Sequence, residues 1–134
     1  MIKKRYLLKV IKEDLKQKMV FLGGPRQVGK TTFAKYIGEE FFKNYSYFNW
    51  DHRPTRKTIL NSKWPNDSDL VILDELHKYS KWKSFIKGEY DVNKDKHQFM
   101  VTGSARLNIY KKGGILYRAD TTITGCIHFL TLKF

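Results

Sequence analysis

Apolar residues along the chain fall into two kinds of pattern. Leu7, Ile11 and Leu15 recur every four residues, with Tyr6 and Val10 beside them, and predict an amphipathic helix over 5–17. By contrast, "MVFL" (19–22), "LVIL" (70–73) and "FMVTG" (99–103) are short, unbroken apolar runs of strand length. They lack polar alternation, as expected of strands buried on both faces. "YSYFNW" (45–50) is aromatic and strand-like, and "DHRP" closes it. Phe33, Tyr36, Ile37 and Phe41 mark a helical face after Lys30; Tyr79, Trp82, Phe85, Ile86 and Tyr90 mark another. A short helix is expected over 105–110, before "KKGG", and "TTITGCIHFLTL" (121–132) reads as one or two late strands.

Strand and helix therefore alternate through most of the chain. That order predicts the α/β class, with a parallel sheet covered by helices on both faces. In such sheets ligands bind beyond the carboxyl ends of the strands. The polar residues that follow each apolar run are thus the first candidates for chemistry.

Composition narrows the class without choosing a function. The 134 residues suffice for one domain, and 41% hydrophobic content with 15% aromatics excludes a disordered tail. Cys126 is the single cysteine, so no internal disulfide forms and a reducing, cytoplasmic setting is expected. No apolar run approaches the ~20 residues of a membrane helix, and no membrane partner is expected. The start, "MIKKRYLLKVIKEDLKQK", has charges through its apolar stretch and reads as a helix, not a signal peptide. Twenty-six Lys and Arg against 13 Asp and Glu give a net charge of +13, which favours a polyanionic partner. The lysines are spread in short pieces, so surface solubilisation accounts for them equally well.

The apolar strand 19–22 runs into "GGPRQVGKTT". Residues Gly24, Pro25, Arg26, Gln27, Val28, Gly29, Lys30 and Thr31 match G-x-x-x-x-G-K-[ST] in full. Glycine at those places lets successive N–H groups turn inward on phosphate oxygens. The helix that follows adds its positive end. Lys30 supplies a point charge for the outer phosphates, Thr31 a hard oxygen for Mg²⁺, and Thr32 a contact to an inner phosphate. A chance match is rare, and this one lies between a predicted strand and a predicted helix, as the chemistry requires.

Asp74 and Glu75 follow the apolar run 70–73 directly. Asp74 can hold Mg²⁺ through its water shell beside Thr31, and Glu75 can polarise an attacking water. Alone, such a pair is usually a turn or a helix cap; beside the phosphate loop it reads as a metal and base pair. Thr102 and Ser104, at the end of the run 99–103, could touch a terminal phosphate or orient the water, and Ser104 could equally cap a helix.

Together "GPRQVGKTT", "YFNWD", "LVILDELHKYSKWKSFIKGEYD", "VTGSARLNIYKKGG" and "IHFLTLKF" resemble prokaryotic AAA-type P-loop ATPases. The group is the one with an N-terminal ATPase domain and a C-terminal domain of unknown function. The resemblance implies a P-loop NTPase fold, a three-layer αβα sandwich with a mainly parallel sheet in the order 5-1-4-3-2 and "MVFL" central. It implies ATP and Mg²⁺ as ligands, residues 24–32 as the ATP loop, Asp74 as Mg²⁺ partner and Glu75 as catalytic base. Thr102 or Ser104 is then the sensor. The family's arginine finger has its loose counterpart in Arg118, which lacks the preceding glycine; Arg106 is the other candidate. Members continue into a helical lid and a further domain, so residues 1–134 read as an ATPase core without them.

The leading expectation is thus a cytoplasmic ATPase, compatible with a homo-oligomer or a protein partner. The alternative is a nucleotide-binding remnant or interaction module with little turnover, since lid and finger set the rate. Nucleic-acid binding is compatible with the charge and with "YSYFNW", although such aromatics more often pack. A phosphotransferase would need an acceptor site, and none is legible. His52, His77, His97 and His128 lack metal-ligand spacing. Cys126 reads as a core thiol without a catalytic base.

Overall fold

A computed structural model of the chain describes residues 2–17, 19–23, 30–103, 116–119 and 127–132. Side chains are described for most of 8–103, excluding the loop 24–29. The amphipathic start forms α1 (Ile2–Gln17), and the first apolar run forms β1 (Met19–Gly23). There follow α2 (Lys30–Phe41), β2 (Tyr45–Asn49), α3 (Arg53–Leu60), β3 (Leu70–Asp74), α4 (Trp82–Asn93) and β4 (Gln98–Gly103). Two later strands are β5 (Leu116–Ala119) and β6 (Ile127–Leu132).

The six described strands join one sheet in the order β2-β3-β4-β1-β6-β5. The first five of these pair in parallel, and β5 pairs antiparallel with β6 at the edge. Read from β6 to β2, this is the order 5-1-4-3-2, with β1 central as expected. The strand beside β1 is sixth in the chain because β5 precedes it. The helix expected over 105–110 lies outside the described residues.

Burial follows the pleat. Met19 and Phe21 of β1, Val71 and Leu73 of β3, and Phe99 and Val101 of β4 pack beneath α3 and α4, with Ile59, Trp82, Ile86 and Tyr90. Their neighbours Val20, Leu22, Leu70, Ile72 and Met100 face the other way, onto Leu8, Ile11 and Leu15 of α1 and Phe33, Ala34 and Ile37 of α2. The sheet is therefore the middle of three layers. Fully burying each such side chain contributes roughly 1.5–3 kcal/mol, which is why runs without polar alternation settle here.

Helix α3 has no counterpart in the sequence reading. Ile59 is its one buried residue, so "RPTRKTIL" carries no periodic apolar face. Proline in its first turn supplies the helix-ready φ instead.

Candidate functional site

The carboxyl ends of β2 and β3 and the first turn of α2 converge on one cleft of about 390 Å³. Lys30, Thr31, Thr32, Asn49, Asp51, Asp74 and Glu75 line it. Lys30 is only 5% exposed at the amino end of α2, where the helix dipole is positive. The glycine loop residues Gly24, Pro25, Arg26, Gln27, Val28 and Gly29 lie outside the described residues, as do Ser104 and Arg106.

Pleat parity explains how the carboxylate reaches Thr31. Leu70, Ile72 and Asp74 alternate onto the α2 side of β3, so Asp74 ends that row. The Thr31 hydroxyl donates to Asp74 Oδ2 at 2.8 Å. From β4, the Thr102 hydroxyl donates to Asp74 Oδ1 at 2.7 Å. From β2, the Tyr47 hydroxyl donates to Asp74 Oδ2 at 2.5 Å. A carboxylate buried to 5% exposure is costly unless paired, and three donors meet that cost here. Burial first, and then the hydrogen bond to Asp74, push the Tyr47 phenol well above its usual range, so it stays protonated as a donor.

Glu75 reaches the same cleft by a different route. In a continued strand it would point to the opposite face from Asp74. Instead its backbone is left-handed, with φ 61 and ψ 23, and the chain turns into a short 3-10 turn over Leu76–Lys78. Its N–H donates to the Thr102 carbonyl at 2.7 Å, which ties the turn to β4. The turn brings two consecutive carboxylates to one opening, at a backbone cost of about 1–2 kcal/mol for a residue other than glycine.

Behind Glu75 stand two groups the sequence reading did not single out as functional. His77 Nε2 lies 3.6 Å and Lys78 Nζ 3.5 Å from Glu75 Oε2. Lys78 also donates to both carboxylate oxygens of Asp51, each at 2.9 Å. Burial lowers the His77 pKa, more than the neighbouring Glu75 raises it, so the ring is neutral. Its Nδ1 is buried with no hydrogen-bond partner among the described residues, against Gly103, where an added Cβ would come within 2.3 Å of it. Gly103 is thus small because the imidazole fills its side-chain space.

The donor set suits a hard cation held together with phosphate. Thr31 and Asp74 offer oxygen only, and a Thr31 hydroxyl donating to Asp74 keeps its lone pairs for a metal. Among the described residues no three His, Cys, Asp or Glu side chains cluster to hold a metal by themselves. A Mg²⁺ ion here would take its other ligands from phosphate and water, which is its usual habit.

Arg118 sits elsewhere. Register places Arg118, Leu130, Leu22, Thr102, Asp74 and Asn49 in one row across the sheet. Four strand spacings, about 19 Å, separate the Arg118 backbone from β3. Its side chain lies outside the described residues.

The sequence pattern of the family described as AAA domain matches residues 16–126, most of the chain. Among solved structures, the chain is similar to Pif1 of Bacteroides sp. in complex with ADP-AlF4, with a TM-score of 0.55 and 17% identity. That similarity covers 84% of this chain and 34% of the Pif1 chain. It is also similar to the DnaC helicase loader, with a TM-score of 0.50 and 19% identity over 77% of this chain and 69% of that one. At these identities the likeness is one of fold, the P-loop NTPase fold. The chain spans about a third of the Pif1 chain's length. No curated protein matches it.

Proposed function

The chain belongs to the AAA domain family, and from that premise we propose that it binds MgATP in the Lys30–Asp74 cleft and hydrolyses it. The observation that carries this is the Thr31–Asp74 hydrogen bond, which joins the phosphate-loop helix to the acid that ends β3 at 2.8 Å. Residues 1–134 act as the ATPase core.

In this reading Gly24 to Gly29 wrap the phosphates with the backbone N–H groups of every residue but Pro25, which has none, and Lys30 places its charge on the outer phosphate oxygens. Thr32 contacts an inner phosphate. Thr31 and Asp74 would hold Mg²⁺, which would supply neutralising charge to the phosphate oxygens. Glu75 orients a water and takes its proton as the oxygen attacks the γ-phosphorus and the bond to the bridging oxygen breaks. Thr102 keeps Asp74 in place beside the departing phosphate. Arg106, or Arg118 of a neighbouring copy, supplies the finger. A cytoplasmic setting and a protein or nucleic-acid partner belong to the same proposal. Among the described residues no helix is long and apolar enough to cross a membrane.

One observation favours a second reading, nucleotide binding with little turnover. Glu75 Oε2 already engages Lys78 at 3.5 Å, and taking a proton there gives up that ion pair. Phosphate release from MgATP separates the two, with Lys30→Ala and Glu75→Gln alongside the unaltered chain. Turnover that vanishes in both variants, with binding kept in Glu75→Gln, supports the hydrolase. Release no faster than in Lys30→Ala removes hydrolysis and leaves the binding module.

A further inference from the structure

Tyr47 is held where a merely packed tyrosine need not be. On β2 it pairs in register with Ile72, and Asn49 pairs with Asp74. The phenol must therefore run two residues along the strand direction, about 6.6 Å, to meet Asp74. A tyrosine ring with its hydroxyl covers that span, and serine or asparagine does not. The ring is also clamped, since Lys35 Nζ lies 4.2 Å from its centroid and its face packs on the α2-side core.

The acceptor count gives the contact its meaning. A carboxylate has about four lone-pair positions. On Asp74, Thr31 and Tyr47 take Oδ2 and Thr102 takes one side of Oδ1. Roughly one position remains, on Oδ1. Without Tyr47, Oδ2 keeps Thr31 as its sole donor of these three, and the carboxylate can pivot about Thr102.

We propose that Tyr47 is a positioning residue of the nucleotide site: its hydroxyl, from the edge strand β2, fixes the Asp74 carboxylate in the one orientation that serves Thr31 and a divalent cation together. Tyr47 acts through Asp74 and touches neither nucleotide nor metal. Its role presupposes the Mg²⁺-nucleotide reading above. Outer-shell partners of metal-binding groups typically account for 10–100-fold in metal affinity or activity, and the same scale is expected here.

The test is calorimetric titration of the full chain with the non-hydrolysable β,γ-imido analogue of ATP, once in Mg²⁺ and once in EDTA. For Tyr47→Phe the tightening caused by Mg²⁺ should shrink about tenfold, while the EDTA affinity and the urea midpoint stay close to those of the unaltered chain. A merely structural tyrosine would weaken both titrations alike. An undiminished Mg²⁺ effect, equal losses in Mg²⁺ and EDTA, or a Tyr47→Phe chain that does not fold would each overturn the proposal. If the unaltered chain binds no nucleotide at all, the reading beneath it fails first, and that result is distinct from the other three.

Discussion

Asp74 and Thr102 are register partners on β3 and β4, and the Thr102 hydroxyl donates to Asp74 Oδ1 at 2.7 Å. At 5% and 0% exposure, neither side chain has bulk water to replace the other. Thr102→Val keeps the shape and deletes the donor, leaving a buried carboxylate oxygen short of a partner. The expected loss is about 1–3 kcal/mol of stability, read from urea unfolding, with Thr102→Ser recovering most of it. A midpoint unchanged in Thr102→Val would mean that solvent reaches Asp74.

The left-handed turn at Glu75 can be weighed with two truncations. Glu75→Ala and Glu75→Gly both lose the contacts to His77 and Lys78, and they differ chiefly in tolerance of φ 61. Glycine should be the more stable by about 1 kcal/mol, and neither variant should hydrolyse ATP. Equal stabilities would show that the turn relaxes once the side chain is gone.

Asp51 competes with Glu75 for one ammonium. Lys78 makes two 2.9 Å contacts to Asp51 and a 3.5 Å contact to Glu75. Asp51→Asn should release Lys78 onto Glu75 and slow hydrolysis several-fold, on the order of 1 kcal/mol in the barrier. Adding Lys78→Met should restore the rate. Stability should move by less than about 1 kcal/mol in either variant, because the pair is partly exposed. Steady-state kcat checks this; a double variant slower than Asp51→Asn alone would contradict it.

His77 links stability to pH. Its pKa is lowered from 6.5, chiefly by burial, so the folded chain binds its proton less readily than the unfolded one. Glu75 and Asp51 oppose this shift, and Lys78 and Lys30 add to it. Stability should therefore be complete above pH 6.5 and fall as pH drops from there through the folded pKa. Urea midpoints between pH 8 and 5 should show the fall in the unaltered chain and a shallower one in His77→Gln. Parallel slopes would assign the titration to other groups.

Much of this architecture was legible because three strands are buried on both faces and announce themselves as apolar runs. The polar residues ending two of those runs line the cleft, and Lys30, Thr31 and Asp74 lie in it together. Tyr47 escaped notice for a physical reason. Both parities of "YSYFNW" carry aromatics, Tyr45 and Tyr47 on one and Phe48 and Trp50 on the other, so the segment does not reveal which face meets α2, and only the register with β3 shows which tyrosine is within reach of Asp74. The same holds for Asp51 and Lys78, 27 residues apart, whose meeting depends on strand order. Helix α3 hides behind its single buried residue, and β5 is an antiparallel edge strand in a chain otherwise patterned for parallel pairing.

All three tryptophans, Trp50, Trp64 and Trp82, lie in the layer beneath α3 and α4, and none lies on the α1–α2 side. Intrinsic emission from this molecule is therefore a one-sided signal. Trp64 and Trp82 report on the collapse of that layer alone. Trp50 follows Asn49 and precedes Asp51, both of which line the cleft, stacks on Tyr79 at 4.9 Å and donates its backbone N–H to the Asp74 carbonyl. Ligand-dependent quenching at Trp50 would give a label-free optical readout of the cleft, from the face of the sheet opposite Tyr47.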